Sequence, residues 1–213
     1  MKLNKVASII KKNKRLVIYT ASNGAQWISN GMAAYSMAGM PHLTKEIVLK
    51  IFDVPQDKQG GWICTETELP SGIDFESAIQ QEREIEPMKI FIDWMGDVYW
   101  LFKDGKQIYT IKEEFIKPFS DNQEYITYFR REMHGGHFVL AIKNGLTLEA
   151  IITPHYLHKY EDFTKEIKEI AALYAKMPKD GAGIFEPTIE NQTEPPEILD
   201  SGENDGGKQI HLV

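Results

Sequence analysis

The segment MGDVYWLFKDGKQIYTI, residues 95–111, is followed forty residues later by GGHFVLAIKNGLTLEAI, residues 135–151, and the two align at their turns. Each opens on a tight turn, at Gly96 or Gly136, and runs as a short apolar stretch to a second turn at Asp104-Gly105 or Asn144-Gly145. Asp-Gly and Asn-Gly supply the two positive-φ residues that a two-residue hairpin loop needs, so each segment predicts strand, hairpin, strand. A shorter copy lies between Leu16 and Met37, punctuated by Asn23-Gly24 and Asn30-Gly31. Three antiparallel meanders are therefore expected.

Helical spacing fills the intervals. Leu3, Val6, Ile9 and Ile10 form one stripe over residues 3–12, and Ile47, Val48 and Ile51 form the inward face of a helix from Thr44 to Phe52. Asp74 caps a helix to about Glu86, with Phe75, Ala78, Ile79 and Ile85 as its apolar face. A helical turn over 113–119 separates the last two meanders, and Phe163, Ile167, Ile170, Ala171 and Tyr174 space a final helix over 161–177. The fold class expected is α+β, built from repeated units of a helix plus an antiparallel three-stranded meander, with a disordered acidic C-terminal tail. Residues 1–177 form the folded part, as one domain or as sub-domains of about 1–70 and 71–177. Residues 178–213, rich in Pro and Gly with eight acids against two lysines, bury too little apolar area to offset their ordering entropy.

Composition narrows the class of function. Hydrophobic residues make up 42% of the chain, enough for a packed core, and no apolar run has the length of a membrane span. The N-terminus has no apolar core of a signal peptide, and the single cysteine, Cys64, has no partner for an internal disulfide. These features fit a cytoplasmic protein. The net charge of −7 is uneven, because Lys2, Lys5, Lys11, Lys12, Lys14 and Arg15 precede any acid. Removing those six leaves 18 bases against 31 acids, a net −13 for the rest, which excludes a nucleic-acid binder with a basic face. Only local contact by the first helix stays open.

Four constellations bear on chemistry. His134 and His137 flank one turn, and His155 and His158 return beside it if Asn144-Gly145 is the hairpin loop, because His137 then faces Ile152. Four imidazoles at one sheet end, with Glu132 nearby, would suit zinc or another divalent metal. The plainer reading is four polar turn residues and no cofactor. Asp93 and Asp97 could pair as carboxylates, although Asp97 is explained as a turn residue. Cys64 has no basic neighbour in sequence and reads as a half-buried strand residue, and Met32, Met37 and Met40 read as core filler. Finally, Gln209-Ile210-His211-Leu212-Val213 resembles the pentapeptide by which bacterial replication and repair proteins dock on the sliding clamp, roughly Gln-Leu-x-Leu-Phe. In that likeness Gln209 bonds a pocket rim while Ile210, Leu212 and Val213 supply the apolar anchors.

At Gln26-Trp27-Ile28-Ser29-Asn30-Gly31, Gly39-Met40-Pro41, Phe52-Asp53-Val54-Pro55 and Leu69-Pro70-Ser71-Gly72 the chain resembles uncharacterised proteins encoded in prophages and other mobile elements of Gram-positive bacteria. The resemblance covers about residues 1–177, implies an intracellular, phage-related setting and supplies no catalytic residues to carry over. The helix-then-strands order is also similar in style to sliding-clamp domains. The leading expectation is a non-enzymatic accessory protein that acts by binding a protein partner, with the clamp as candidate. The alternatives are a metal-dependent enzyme using the four histidines, and a clamp-like or other DNA-associated protein whose N-terminal lysines touch nucleic acid.

Overall fold

The computed structural model describes residues 1–155 apart from 81, 95, 106, 122 and 134–136, and beyond them Lys165, Glu169, Ala172 and Gln209–Leu212. One compact unit comprises Met1–Tyr156 and Lys208–Val213, and a second comprises Leu157–Gly207. Of the second, Lys165, Glu169 and Ala172 are helical and exposed. The remainder of the helix expected over 161–177, and residues 178–208 of the expected tail, lie outside the described residues.

The first unit begins with α1 (Leu3–Asn13) and the meander β1 (Arg15–Thr20), β2 (Gln26–Ser29) and β3 (Ala33–Ser36). It continues through α2 (Lys45–Ile51), a 3-10 turn (Gln56–Gly61), β4 (Ile63–Glu68) and the short β5 (Glu82–Glu84). The second meander is β6 (Pro87–Trp94), β7 (Asp97–Asp104) and β8 (Gln107–Lys112). After α3 (Glu113–Ile116) and two 3-10 turns comes the third, β9 (Ile126–Glu132), β10 (Phe138–Asn144) and β11 (Thr147–Ile152). The final strand is β12 (Gln209–Leu212). Mixed helix and largely antiparallel sheet make the fold α+β.

Two sheets result. The larger has the order β4-β1-β2-β3-β11-β10-β9-β5, so the first and third meanders join where β3 pairs β11, with Ala33 opposite Ile152 and Tyr35 opposite Ala150. The smaller has the order β12-β6-β7-β8. Trp100 and Leu140 both lie on the middle strand of a meander and both contact the main core cluster. That cluster gathers Val6, Ile9 and Ile10 of α1, Ile18 and Ile28 of the first meander, Phe102 and Ile111 of the second, and Leu140 and Ile142 of the third.

The opposite face of the larger sheet carries a second cluster of Trp27, Ala34, Val139, Ala141, Leu148 and Ile151. The segment expected as a helix over 74–86 covers it without forming one. Phe75 lies edge-on to Trp27 at 4.9 Å in this cluster, while Ile85 belongs to the main core on the other side, so one helical face could not serve both. Asp74 does cap locally, its Oδ1 accepting from the Glu76 amide at 2.8 Å, but as a turn. Glu82 then enters β5 opposite Arg131 and receives Arg131 Nη2 at 2.7 Å and the Lys143 ammonium. Arg131 is fully buried, and its Nη1 donates to the Asp74 carbonyl at 2.6 Å. Breaking such a pair by removing one partner is costly, because the other charge is left dry.

Three finer expectations are corrected. In α2 the buried side chains are Val48 and Leu49, while Ile47 and Ile51 are exposed: the apolar face is rotated by one residue because Phe52 completes it. Met37 is buried, but Met32 and Met40 are exposed at turns. The hairpin loops also sit one residue later than expected. Asn144 pairs with Thr147 and Asp104 with Gln107, leaving Gly145 (φ 59°) and Gly105 (φ 58°) as the first loop residues. Leu146 has negative φ, so its loop needs only the glycine in the left-handed region, as in a type II′ turn. At the first meander Asn30 Oδ1 accepts from the Met32 and Ala33 amides at 2.9 Å each, which explains asparagine before the glycine.

Gln26 fixes the chain beyond β3. Its buried amide accepts from the Leu43 N–H at 2.7 Å and donates to the Leu43 carbonyl at 3.0 Å. Gln26→Leu leaves both backbone groups unpaired away from water and is expected to cost about 2–6 kcal/mol, at 1–3 kcal/mol per orphaned group. Urea denaturation measures this, and a loss below about 0.5 kcal/mol would show that the pairing does not matter to stability.

Candidate functional site

The terminal peptide is placed by β6. Alternation along Pro87–Trp94 buries Met88, Ile90 and Ile92 on one face, and β7 takes one edge of the strand. The other edge receives Gln209–Leu212 antiparallel, with Gln209 opposite Asp93, Ile210 opposite Ile92, His211 opposite Phe91 and Leu212 opposite Ile90. Residues expected in a flexible tail are thus a strand, because an open edge of unpaired N–H and C=O groups favours another extended chain. Of the four expected partner-binding residues, Gln209, Ile210 and Leu212 are in this strand, and Val213 lies outside the described residues.

Where β6 turns into β7 the structure gathers charge. Lys112 Nζ stands 2.7 Å from Asp97 and 3.0 Å from Glu114, and Lys12 Nζ stands 3.3 Å from Asp97 and 2.8 Å from Glu114. Two cations alternate with two anions, so the ring is neutral and ties α1 to β7, β8 and α3. Burial works to raise the Asp97 carboxyl, but the hydrogen bond and charge of Lys112, then of Lys12, outweigh it and hold Asp97 below the usual range. The Lys12 ammonium is raised, first by its hydrogen bond to Glu114. An ionised, fully engaged Asp97 is a structural anchor, beyond a turn residue. Asp93 does not pair with it, since Asp93 faces Val98 and Asp97 faces Trp94, on opposite sides of the ladder.

His155 closes this corner. Its amide donates to the Thr110 carbonyl at 2.8 Å, the Thr110 hydroxyl donates to its carbonyl, and its ring lies 5.3 Å from Tyr99 and 5.9 Å from Trp94. The histidine convergence rested on His137 facing Ile152. Leu140 faces Ile152 instead, because the loop is later and the register shifts between Ile142 and Lys143. His137 is exposed, with its carbonyl accepting from the Met133 amide at 2.7 Å, and His134 and His158 lie outside the described residues. Among the described residues no group of three or more His, Cys, Asp or Glu could hold a metal ion.

The N-terminal bases divide by use. Lys2 pairs with Asp121, Lys12 is committed to the ring, and the Arg15 guanidinium lies against Gly31, where an added Cβ would meet it at 3.0 Å. Lys5, Lys11 and Lys14 are exposed. Cys64 is half-buried on β4, and burial pushes its thiol up, away from nucleophilic activation. No helix among the described residues is long and apolar enough to cross a membrane. No protein-family model, curated protein or solved structure matches the chain.

The ring of Lys12, Lys112, Asp97 and Glu114 was missed by sequence reasoning. A hairpin loop at 105–106 sets Asp97 against 112–114, so correct turn chemistry would have brought Lys112 and Glu114 to it; Lys12 carries no such signal.

Burial lowers the His155 imidazole, and Lys112 lowers it further against the opposing pull of Asp97. A folded value below the unfolded one, about 6.5, means the unfolded chain binds more protons in that window. Stability from His155 is therefore complete above about pH 6.5 and lost as pH falls through the folded value. Thermal melts from pH 7 to 5 should show Tm declining, and His155→Phe, which keeps the ring packing, should flatten that decline. An unchanged slope in the variant would contradict the assignment.

Proposed function

We propose that this protein is a non-enzymatic accessory protein that acts by binding, with Gln209–Val213 as its docking peptide and a bacterial sliding clamp as its partner. The observation that carries this reading is the extended, antiparallel pairing of Gln209–Leu212 with β6. Peptides that dock by adding a strand or lying in a groove need an extended backbone, and β6 keeps this one extended. The pairing also supplies control. A peptide held on β6 for about 99% of the time binds a partner about a hundredfold more weakly than the free peptide, so the peptide engages only where the partner is concentrated. Residues 178–208, rich in Pro, Gly and acid, act as the tether, which raises the local concentration of the peptide near any surface the folded part visits. The phage-related, cytoplasmic setting implied by the sequence resemblance fits an accessory of host replication. We also read the helix-and-meander units as copies of one ancestral element.

The test is titration of a bacterial sliding clamp with the full chain, with a chain ending at Lys208, and with Leu212 and Val213 both changed to Ala. The full chain should bind, the shortened chain should not, and the double substitution should lose about 1–3 kcal/mol, the scale of burying aliphatic side chains. Equal affinity for all three, or none for any, contradicts the reading.

A further inference from the structure

The end of α1 forms a cavity with the segment that follows α2. It measures about 350 Å³ and is walled by Lys11 and Lys14 on one side, and by Val54, Pro55, Lys58 and Trp62 on the other. That size lies at the small end of ligand pockets. A second cavity of about 270 Å³ has Lys5 and Lys117 on its wall, but there Glu113 pairs with Lys117 at 2.8 Å and no third cation joins them among the described residues. In the larger one Lys11, Lys14 and Lys58 enter no ion pair among the described residues. Among the described residues Asp53 is the single acid on its wall, so three cations face one anion in a protein of net charge −7.

The walls are held by backbone bonds. The Lys14 carbonyl accepts from Ile63 N at 2.9 Å, Val54 N donates to the Leu49 carbonyl at 2.9 Å, and Gln59 Nε2 donates to the Val54 carbonyl at 3.0 Å. Trp62 N donates to the Gln59 carbonyl at 3.0 Å, and its half-buried side chain rests on the main core. Among the described residues, the two non-glycine residues with positive φ, Lys14 at 48° and Asp53 at 52°, both line this cavity. A helix ordinarily ends there on glycine, and a lysine in its place stores strain of the kind that collects at ligand sites. The helix C-terminus accounts for basic residues in its last turn, such as Lys11, by its negative dipole end. It does not account for Lys58, which comes from a separate element to the same space.

We propose that this cavity binds a nucleoside phosphate, with the phosphate among Lys11, Lys14 and Lys58 and the base against Trp62. Clustered cations beside an aromatic ring that is open on one side, as half-buried Trp62 is, are the elements by which single strands are held without sequence readout. The ligand is either a free nucleotide or one residue of a single strand, and both present the same chemistry.

The full chain is titrated with AMP, with a short labelled oligo-dT strand and with inorganic phosphate. AMP or oligo-dT should bind at least tenfold more tightly than phosphate, and a further gain for oligo-dT over AMP assigns the site to a strand. Lys58→Glu, on an exposed 3-10 turn, should weaken binding at least tenfold with the melting temperature unchanged. Trp62→Ala should weaken AMP or oligo-dT about tenfold, the scale of one lost stacking contact, while leaving phosphate affinity as it was. Binding of AMP no tighter than phosphate, or insensitivity to Lys58→Glu, overturns the proposal. A chain ending at Lys208 should bind AMP as the full chain does, so failure here is separable from failure of the docking peptide.

Discussion

The pairing of β3 with β11 is the seam on which the larger sheet depends. It places Ala33, Ala34 and Tyr35 opposite Ile152, Ile151 and Ala150, and it is extended by the Thr153 amide donating to the Met32 carbonyl at 2.8 Å. Small residues stand opposite branched ones for two of the three pairs, so the backbones meet without crowding. Alternation sends Ala33, Tyr35, Ala150 and Ile152 into the main core and Ala34 and Ile151 into the second cluster. Both hydrophobic layers therefore require the same register, and a slip of one residue would exchange their contents. Tyr35 carries the seam to α3 as well, its hydroxyl donating to the Phe115 carbonyl at 3.1 Å. Contacts so distant in sequence cost loop-closure entropy before they yield burial, which predicts slow folding for this sheet.

The local elements were legible because turn chemistry and periodicity are local. Asp104-Gly105 and Asn144-Gly145 mark real hairpins, and Val6, Ile9 and Ile10 mark the buried face of α1. Two kinds of feature were not legible. The loops are displaced by one residue, with Gly105 and Gly145 as their first residues in the left-handed region, and that displacement sets Leu140 rather than His137 opposite Ile152. The segment around Phe75 and Ile85 had helical spacing, yet its apolar residues serve opposite sides of a sheet, a distinction set by tertiary context. The charge ring was partly hidden for the same reason, since Lys12 reaches Asp97 only after α1 docks.

Charge is spent differently in different parts of the molecule. Lys112, Asp97 and Glu114 pair with one another at the corner of the smaller sheet, and Arg131 and Lys143 pair with Glu82 beneath the segment that covers the larger one. The cations of the α1 cavity have no such partners among the described residues, and the peptide on β6 is held by backbone pairing.

The docking peptide requires that residues 209–212 occupy the edge of β6. Amide hydrogen exchange across Met88–Trp94, in the full chain and in a chain ending at Lys208, measures this directly, since an edge strand that loses its partner exposes its outward N–H groups. Slow exchange is expected in the full chain, and faster exchange confined to β6 in the shortened one. Identical protection of β6 in both chains would contradict this placement.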